Sequence, residues 1–203
     1  MNAPDFCSAM DNMPRCTVAF DPAGPGCACL NPLLRTGVGV AVPGPLPVRA
    51  LLCEVLGLDP EFVERRIATL FLNNHPVDDL DATLVRPGDS LALAAAMPGI
   101  AGITMRRNSP VKALRADISC RTEAGGASPA AAGPVVLKLF NFIALEAGPG
   151  LLAQGVLAPA DRLADILREC VRQVRSLTLD GKPATHYDLA RLVGEVHLVA
   201  TAE

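Results

Sequence analysis

Leu70-Phe-Leu-Asn-Asn-His-Pro-Val77 and Leu177-Thr-Leu-Asp-Gly-Lys-Pro-Ala184 are one pattern written twice. Laying Leu72 on Leu179 sets the second copy about half the chain after the first. Such self-similarity bears on architecture before any local reading does. Within each copy, alternating apolar residues read as a strand. Asn73-Asn74 and Asp180-Gly181 then supply residues that tolerate positive φ, the requirement of a two-residue hairpin loop.

The same order of elements recurs around each copy. In the first half, residues 16–20 and 37–42 read as strands, and 21–31 as a Pro/Gly-rich loop. The prolines of 43–47 cannot continue a strand but suit a helix start. Apolar residues at 48, 51, 52, 55 and 56 mark one helical face, closed by Gly57. A short helical turn over 60–66 precedes the strand 67–72, and Pro87-Gly-Asp89 turns the chain into the strand 90–94. In the second half, 134–140 is the first strand. Leu151-Leu-Ala-Gln-Gly-Val156 resembles Leu33-Leu-Arg-Thr-Gly-Val38. Residues 160–169 form a helix with Leu163, Ile166 and Leu167 on one face and Asp161 near its start, and 175–179 and 196–200 are strands. Aligning Gly88 with Gly194 and Leu91 with Leu198 needs shifts that differ by one residue. A one-residue slip would flip every side chain to the other face, so the deletion is placed in the turn.

Residues 1–15 read as a disordered arm, and the small-residue stretch 123–134 as a linker. The expected organisation is a first domain over 16–102, a basic connector and linker over 103–133, and a second domain over 134–203. Each half is strand, strand, helix, strand, turn, strand. The fold class is α+β, with each half a mixed four-stranded sheet covered by one helix.

Composition narrows the function. Of 203 residues, 50% are hydrophobic but only 3% aromatic, with no Trp and Tyr187 as the one Tyr. The core must come from Leu, Val, Ile and Ala, and a base-stacking platform is not expected. A net charge of −3 points away from nucleic acid. The uncharged run 90–105 contains Pro98, Gly99 and Gly102 and is shorter than the ~20 apolar residues of a membrane span. The first residues, Met1-Asn-Ala-Pro-Asp5, show no secretory pattern, so a cytoplasmic protein with reduced thiols is expected.

Leu72-Asn-Asn-His-Pro-Val77, the run Leu84-Val-Arg-Pro-Gly-Asp-Ser-Leu-Ala-Leu93 and Gly99-Ile-Ala-Gly102 together resemble the ubiquitin-like β-grasp fold. The closest resemblance is to the MoaD/ThiS sulfur-carrier family. It covers 67–102 and, more faintly, 175–200. It implies two tandem β-grasp units. In those carriers the chain ends in Gly-Gly, whose free carboxylate becomes a thiocarboxylate. Here Gly99 and Gly102 are internal, a vestigial glycine tail, and the chain ends in Thr201-Ala-Glu203. Sulfur carriage in molybdopterin- or thiamine-type cofactor biosynthesis would require cleavage after Gly102, so it stands as the alternative function.

The first expectation is a non-enzymatic protein-interaction module, with no cofactor and no membrane or nucleic-acid partner. Homo-oligomers through sheet edges are a further possibility. The basic stretch after the glycine tail carries Arg106, Arg107, Lys112 and Arg115, with Val111, Leu114 and Ile118 on a helical face. These cations suit an acidic partner patch. The alternative is a connector that packs its apolar side on the first domain. Cys27 and Cys29, with Cys7 and Cys16 upstream, are metal candidates, although they do not form paired C-x2–4-C knuckles, and a loop carrying reduced thiols is the reading preferred. His75, His186 and His197 are scattered, Asp78, Asp79 and Asp81 read as a solvated loop, and no nucleophile, P-loop or dinucleotide motif stands in the chain.

Overall fold

The structure, a computed structural model, describes residues 12–21, 26–118 and 132–202. Most of the 1–15 arm, most of the 123–134 linker, Cys7 and Cys120 lie outside the described residues. The first half opens with β1 (Arg15–Phe20). A 3-10 turn, Gly26–Leu30, runs into α1 (Asn31–Thr36), which stops at Gly37, with φ 122°. Then come β2 (Val38–Val42), the short β3 (Leu46–Pro47), and α2 (Val48–Ala50), which continues as a π-helical turn, Leu51–Val55. Helix α3 (Pro60–Arg65) is capped by the Asp59 carboxylate, which accepts the Glu61 and Phe62 N–H groups. There follow β4 (Thr69–Leu72), β5 (His75–Pro76), β6 (Leu84–Val85), β7 (Ser90–Ala94), α4 (Gly99–Met105) and a 3-10 turn, Lys112–Ile118. The second half runs β8 (Gly133–Leu139), α5 (Asn141–Gln154), β9 (Val156–Pro159), α6 (Ala160–Glu169), β10 (Val174–Leu179), β11 (Lys182–Pro183), α7 (His186–Leu189) and β12 (Glu195–Ala202).

Both expected hairpin turns form: Asn73 and Asn74 have φ of 50° and 68°, and Asp180 and Gly181 have 51° and 74°. Alternation is preserved in the closing strands, since Leu91 and Leu198 are both fully buried.

The expected element order needs one correction. A helix stands between the first and second strands of each half: the 3-10 turn with α1 in one, α5 in the other. Proline and glycine hid both. Pro32 sits in the first turn of α1, where its missing N–H costs nothing. Pro149 lies inside α5, with Gly148 and Gly150 beside it. Gly148 faces Leu34 so closely that a Cβ there would lie 2.6 Å from its methyl, so the glycine serves helix packing. The similarity of 33–38 to 151–156 is that of two helix ends, each followed by a glycine and a strand. Gly37 N–H returns to the Leu33 carbonyl as Gly155 N–H returns to that of Leu151.

A helix stands where a tight hairpin would join the first two strands, and the first strand of each half pairs with strands of the other half. In place of two four-stranded sheets there is one ten-stranded sheet, ordered β11-β10-β1-β12-β9-β2-β8-β7-β4-β5, plus the small pair β3-β6. Each end holds a parallel pair with one strand from each half, β1 with β12 and β7 with β8. These pairs are flanked by antiparallel strands: β10 and β9 on one, β4 and β2 on the other. The two five-stranded parts join through Gly39 opposite Leu157. A Cβ at Gly39 would lie 2.9 Å from the Leu157 Cβ, so glycine permits that approach.

Equivalent turns show the exchange at atomic level. Asn73 N–H donates to the Ser90 carbonyl and its Oδ1 accepts the Ser90 N–H, at 2.8 and 2.9 Å. In the second half Asp180 makes the same two bonds to Arg15, both 2.8 Å. β1 thus stands where the repeat would put β12. The core is aliphatic, as composition requires: among its largest fully buried side chains are Phe20, Leu30, Leu33, Leu34, Leu52 and Leu91.

Candidate functional site

The basic stretch lies outside both expected repeats, and its arginines divide into two kinds. Arg107 and Arg115 are buried, with side chains 6% and 1% exposed. Arg107 Nη2 donates to the Glu64 carboxylate at 2.9 Å and lies against the Val63 and Glu64 carbonyls at the end of α3. Arg115 Nη2 donates to Asp78 at 2.7 Å, and its Nε to the Thr104 carbonyl at 2.7 Å. The backbone adds Arg107 N–H to the Ala68 carbonyl and Asn108 N–H to the Asp78 carboxylate, at 2.8 and 2.9 Å. These two guanidiniums cannot meet a partner from solution. They fasten the connector to α3 and to the loop after β5. Burial alone would push the Asp78 carboxyl up, but the bonds from Arg115 and Asn108 outweigh it and hold it below the ordinary range.

With Arg107 and Arg115 turned inward, the connector turns apolar side chains outward, Val111 and Leu114 of the expected face among them. Ile100 is 83% and Leu114 76% exposed, and Ile103 and Val111 are also exposed. Ile100 and Ile103 are three residues apart on α4 and share a face. Arg106 and Lys112 are the two exposed cations of the expected four. The Arg106 guanidinium has no hydrogen-bond or ion-pair partner among the described residues.

Beside this connector is a cavity of about 530 Å³, walled by the end of α3, the chain into β4, the chain leaving β7, and the start of α5. Arg65, Arg66, Arg106 and Arg107 line it against one carboxylate, Glu64. Arg65 pairs with Glu61 one turn back on α3, and Arg66 with Glu146 on α5. The Nε of Arg107 is buried with no hydrogen-bond partner. A buried N–H left this way costs about 1–3 kcal/mol. Ile67, Ala68, Ala95 and the exposed Phe142 supply apolar wall. Arg65, Arg66 and Phe142 are not among the residues the sequence singles out. Adjacent arginines at the end of a helix were a visible signal, but nothing in sequence placed them beside Arg106.

The remaining candidates have structural roles. Gly99 and Gly102 lie in α4, not in an extended tail. Gly102 is buried, and a Cβ there would run into the Met97 carbonyl. Cys27 and Cys29 sit in the turn before α1. Burial pushes the Cys27 thiol up. A hydrogen bond with Cys170 pushes Cys29 up, with burial adding to it, and the same bond lowers Cys170. Among the described residues no three His, Cys, Asp or Glu side chains converge as metal ligands. His75 is exposed at the sheet edge, and His186 stacks on Tyr187 with ring centroids 4.1 Å apart. His197 lies over Gly155, and burial, with Arg15 nearby, lowers its pKa. The three aspartates are engaged rather than simply solvated: Asp78 as above, Asp79 capping the Asp81 and Ala82 N–H groups, and Asp81 paired with Arg49 at 2.7 Å.

No family model, curated protein or solved structure matches this chain. Among the described residues, no helix is long and apolar enough to cross a membrane.

Proposed function

We propose that this chain is a non-enzymatic protein-interaction module built from two β-grasp units that have exchanged strands, and that the connector 99–118 is its recognition face. The β-grasp part of the reading is supported in one five-stranded part by the order β2-β8-β7-β4-β5, whereas in the other, β9-β12-β1-β10-β11, the two central strands stand in the reverse order. The central parallel pair, antiparallel flanks and two-residue edge strand of the first follow a β-grasp sheet with β8 standing in for β1. The observation that carries the functional part is the inversion of the connector: Arg107 and Arg115 buried and paired, Ile100 and Leu114 open to solvent. Single exposed apolar residues need no explanation. Several of them on a segment held by two buried ion pairs, with Arg106 and Lys112 at hand, have the make-up of a protein contact. The complementary partner surface is apolar with an acidic rim.

The sheet edges are less suited to partners. Both end in two-residue strands containing a proline, His75–Pro76 and Lys182–Pro183. Short, proline-bearing edges are a known defence against strand addition. Sulfur carriage is the weaker alternative, because Gly102 is packed inside a helix and not on a free tail. A cytoplasmic setting goes with this reading.

The test is cross-linking in the native host from a photoreactive residue at position 114, in the parent and in the Arg106→Glu/Lys112→Glu variant. The reading expects one dominant adduct in the parent that the charge reversal abolishes while the melting temperature stays the same. An adduct unaffected by the reversal, or none, counts against the connector as the recognition face.

A further inference from the structure

The cavity between α3, the connector and α5 has a chemistry of its own and shares only Arg106 with the connector's outer face. We infer that it is a binding site for a phosphate monoester carried on an aromatic or apolar group. Three observations point there. First, among the described residues the cations that line it are arginines, Arg65, Arg66, Arg106 and Arg107, against Glu64 as the one lining carboxylate. Arginine presents a planar fork of donors that matches phosphate oxygens two at a time, which lysine does not.

Second, donors remain after the internal pairs are counted. Arg106 makes no bond to any described side chain or backbone group through its guanidinium. Among the described residues Arg65 is held only by the exposed Glu61 at 2.9 Å, an i,i+4 surface pair of the weak kind. Arg107 lends the wall its charge and no free donor, because Nη2 is spent on Glu64 and the α3 carbonyls and Nε is buried. Arg66 is committed to Glu146 and serves as wall. Third, the cavity is both large enough and apolar enough for more than an ion. About 530 Å³ falls in the range of small-ligand sites, and Ile67, Ala95 and the 63% exposed Phe142 give the carrier group something to cover. Phe142 and Glu146 belong to the second half, Arg65 and Arg107 to the first half and its connector, so an occupant would bridge the two halves of the repeat.

The test is calorimetric titration at about 0.15 M salt, where surface attraction is screened beyond about 8 Å. The probes are phenyl phosphate, inorganic phosphate, sulfate and benzoate. The variants are Arg106→Ala and Arg65→Ala, both exposed and checked for unchanged melting without ligand. One phenyl phosphate per chain should bind, more tightly than sulfate or benzoate, and each variant should weaken it by roughly tenfold or more, as loss of a charge-assisted bond does. A phosphotyrosine peptide forms a second arm. If it binds far more tightly than phenyl phosphate, the monoester belongs to a partner protein; if equally, to a small molecule; either upholds the site. No saturation by phenyl phosphate up to about 10 mM, or affinities unchanged in both variants, overturns it. Because Arg106 serves both readings, the Arg65→Ala variant separates this result from the cross-linking outcome at position 114.

Discussion

Asp180 holds both backbone groups of Arg15: its Oδ1 accepts the Arg15 N–H, and its own N–H donates to the Arg15 carbonyl, each at 2.8 Å. The residue at the same place in the first half, Asn73, holds Ser90 in the same way. The N-terminal strand is therefore fastened by the hairpin of the second half. Because Asp180 also sits at φ 51°, its replacement must supply both an acceptor and tolerance of the left-handed region. Asp180→Asn should be nearly neutral in urea unfolding. Asp180→Ala should cost about 1–2 kcal/mol, from the lost bond and the strained φ. Equal losses in the two variants would mean that the charge, not the clamp, matters.

Arg115 and Asp78 form the most buried ion pair of the connector, at 2.7 Å. Breaking such a pair from one side leaves an uncompensated charge, at a cost of about 3–5 kcal/mol. Asp78→Ala should show that loss, and Asp78→Ala with Arg115→Met should recover part of it. A double-mutant cycle with no coupling would show that the pair does not hold the connector. The Asp78 carboxyl is held below its ordinary 3.8, so its contribution is full above that pH and is lost as pH falls through the lower folded value.

Gly39 lets β2 and β9 meet, with Leu157 2.9 Å from where a Cβ would stand. Gly39→Ala should lower stability by about 1–3 kcal/mol, the usual cost of overpacking, and Leu157→Ala should relieve part of that. Melting curves of the two single variants and the double variant decide it. A Gly39→Ala protein as stable as the parent would remove the close approach as a constraint.

Cys16 is buried at the base of β1, and burial pushes its thiol up from 9.0 to about 12. The unfolded thiol ionises first as pH rises, so the folded state loses stability progressively between about pH 9 and 12, and not below. Replacing Cys16 with Val should flatten the stability profile in that window and leave the profile at pH 7–8 parallel to the parent's. Profiles that stay parallel up to pH 12 would place the alkaline loss elsewhere.

How much of this was legible follows from which forces were local. The two hairpins were readable because Asn73-Asn74 and Asp180-Gly181 carry their turn geometry in their own backbone preferences, and β7 and β12 because a buried face imposes alternation. Helix α5 was not, because Gly148-Pro149-Gly150 opposes a helix locally and is overruled by packing of Gly148 on Leu34. The exchange of β1 and β8 was invisible for a related reason. Strand pairing between residues as far apart as Leu91 and Leu137 leaves no mark on either strand's own pattern. Of the four expected partner-binding cations, sequence could not separate Arg106 and Lys112 from Arg107 and Arg115, since Glu64 and Asp78 reach the latter only through the fold. The helical spacing of Val111 and Leu114 was visible, but which side faces the protein depends on where those carboxylates lie.

A recognition role requires the connector to be a fixed face and not a linker. Native-state hydrogen exchange of the Arg107 and Asn108 amides tests this most directly, because their acceptors, the Ala68 carbonyl and the Asp78 carboxylate, lie in the first half's fold. Both amides should be protected by about a hundredfold or more over an unstructured chain, with Asn108 losing protection in Asp78→Ala. Exchange of both at unstructured rates, in the parent protein at neutral pH, would contradict it.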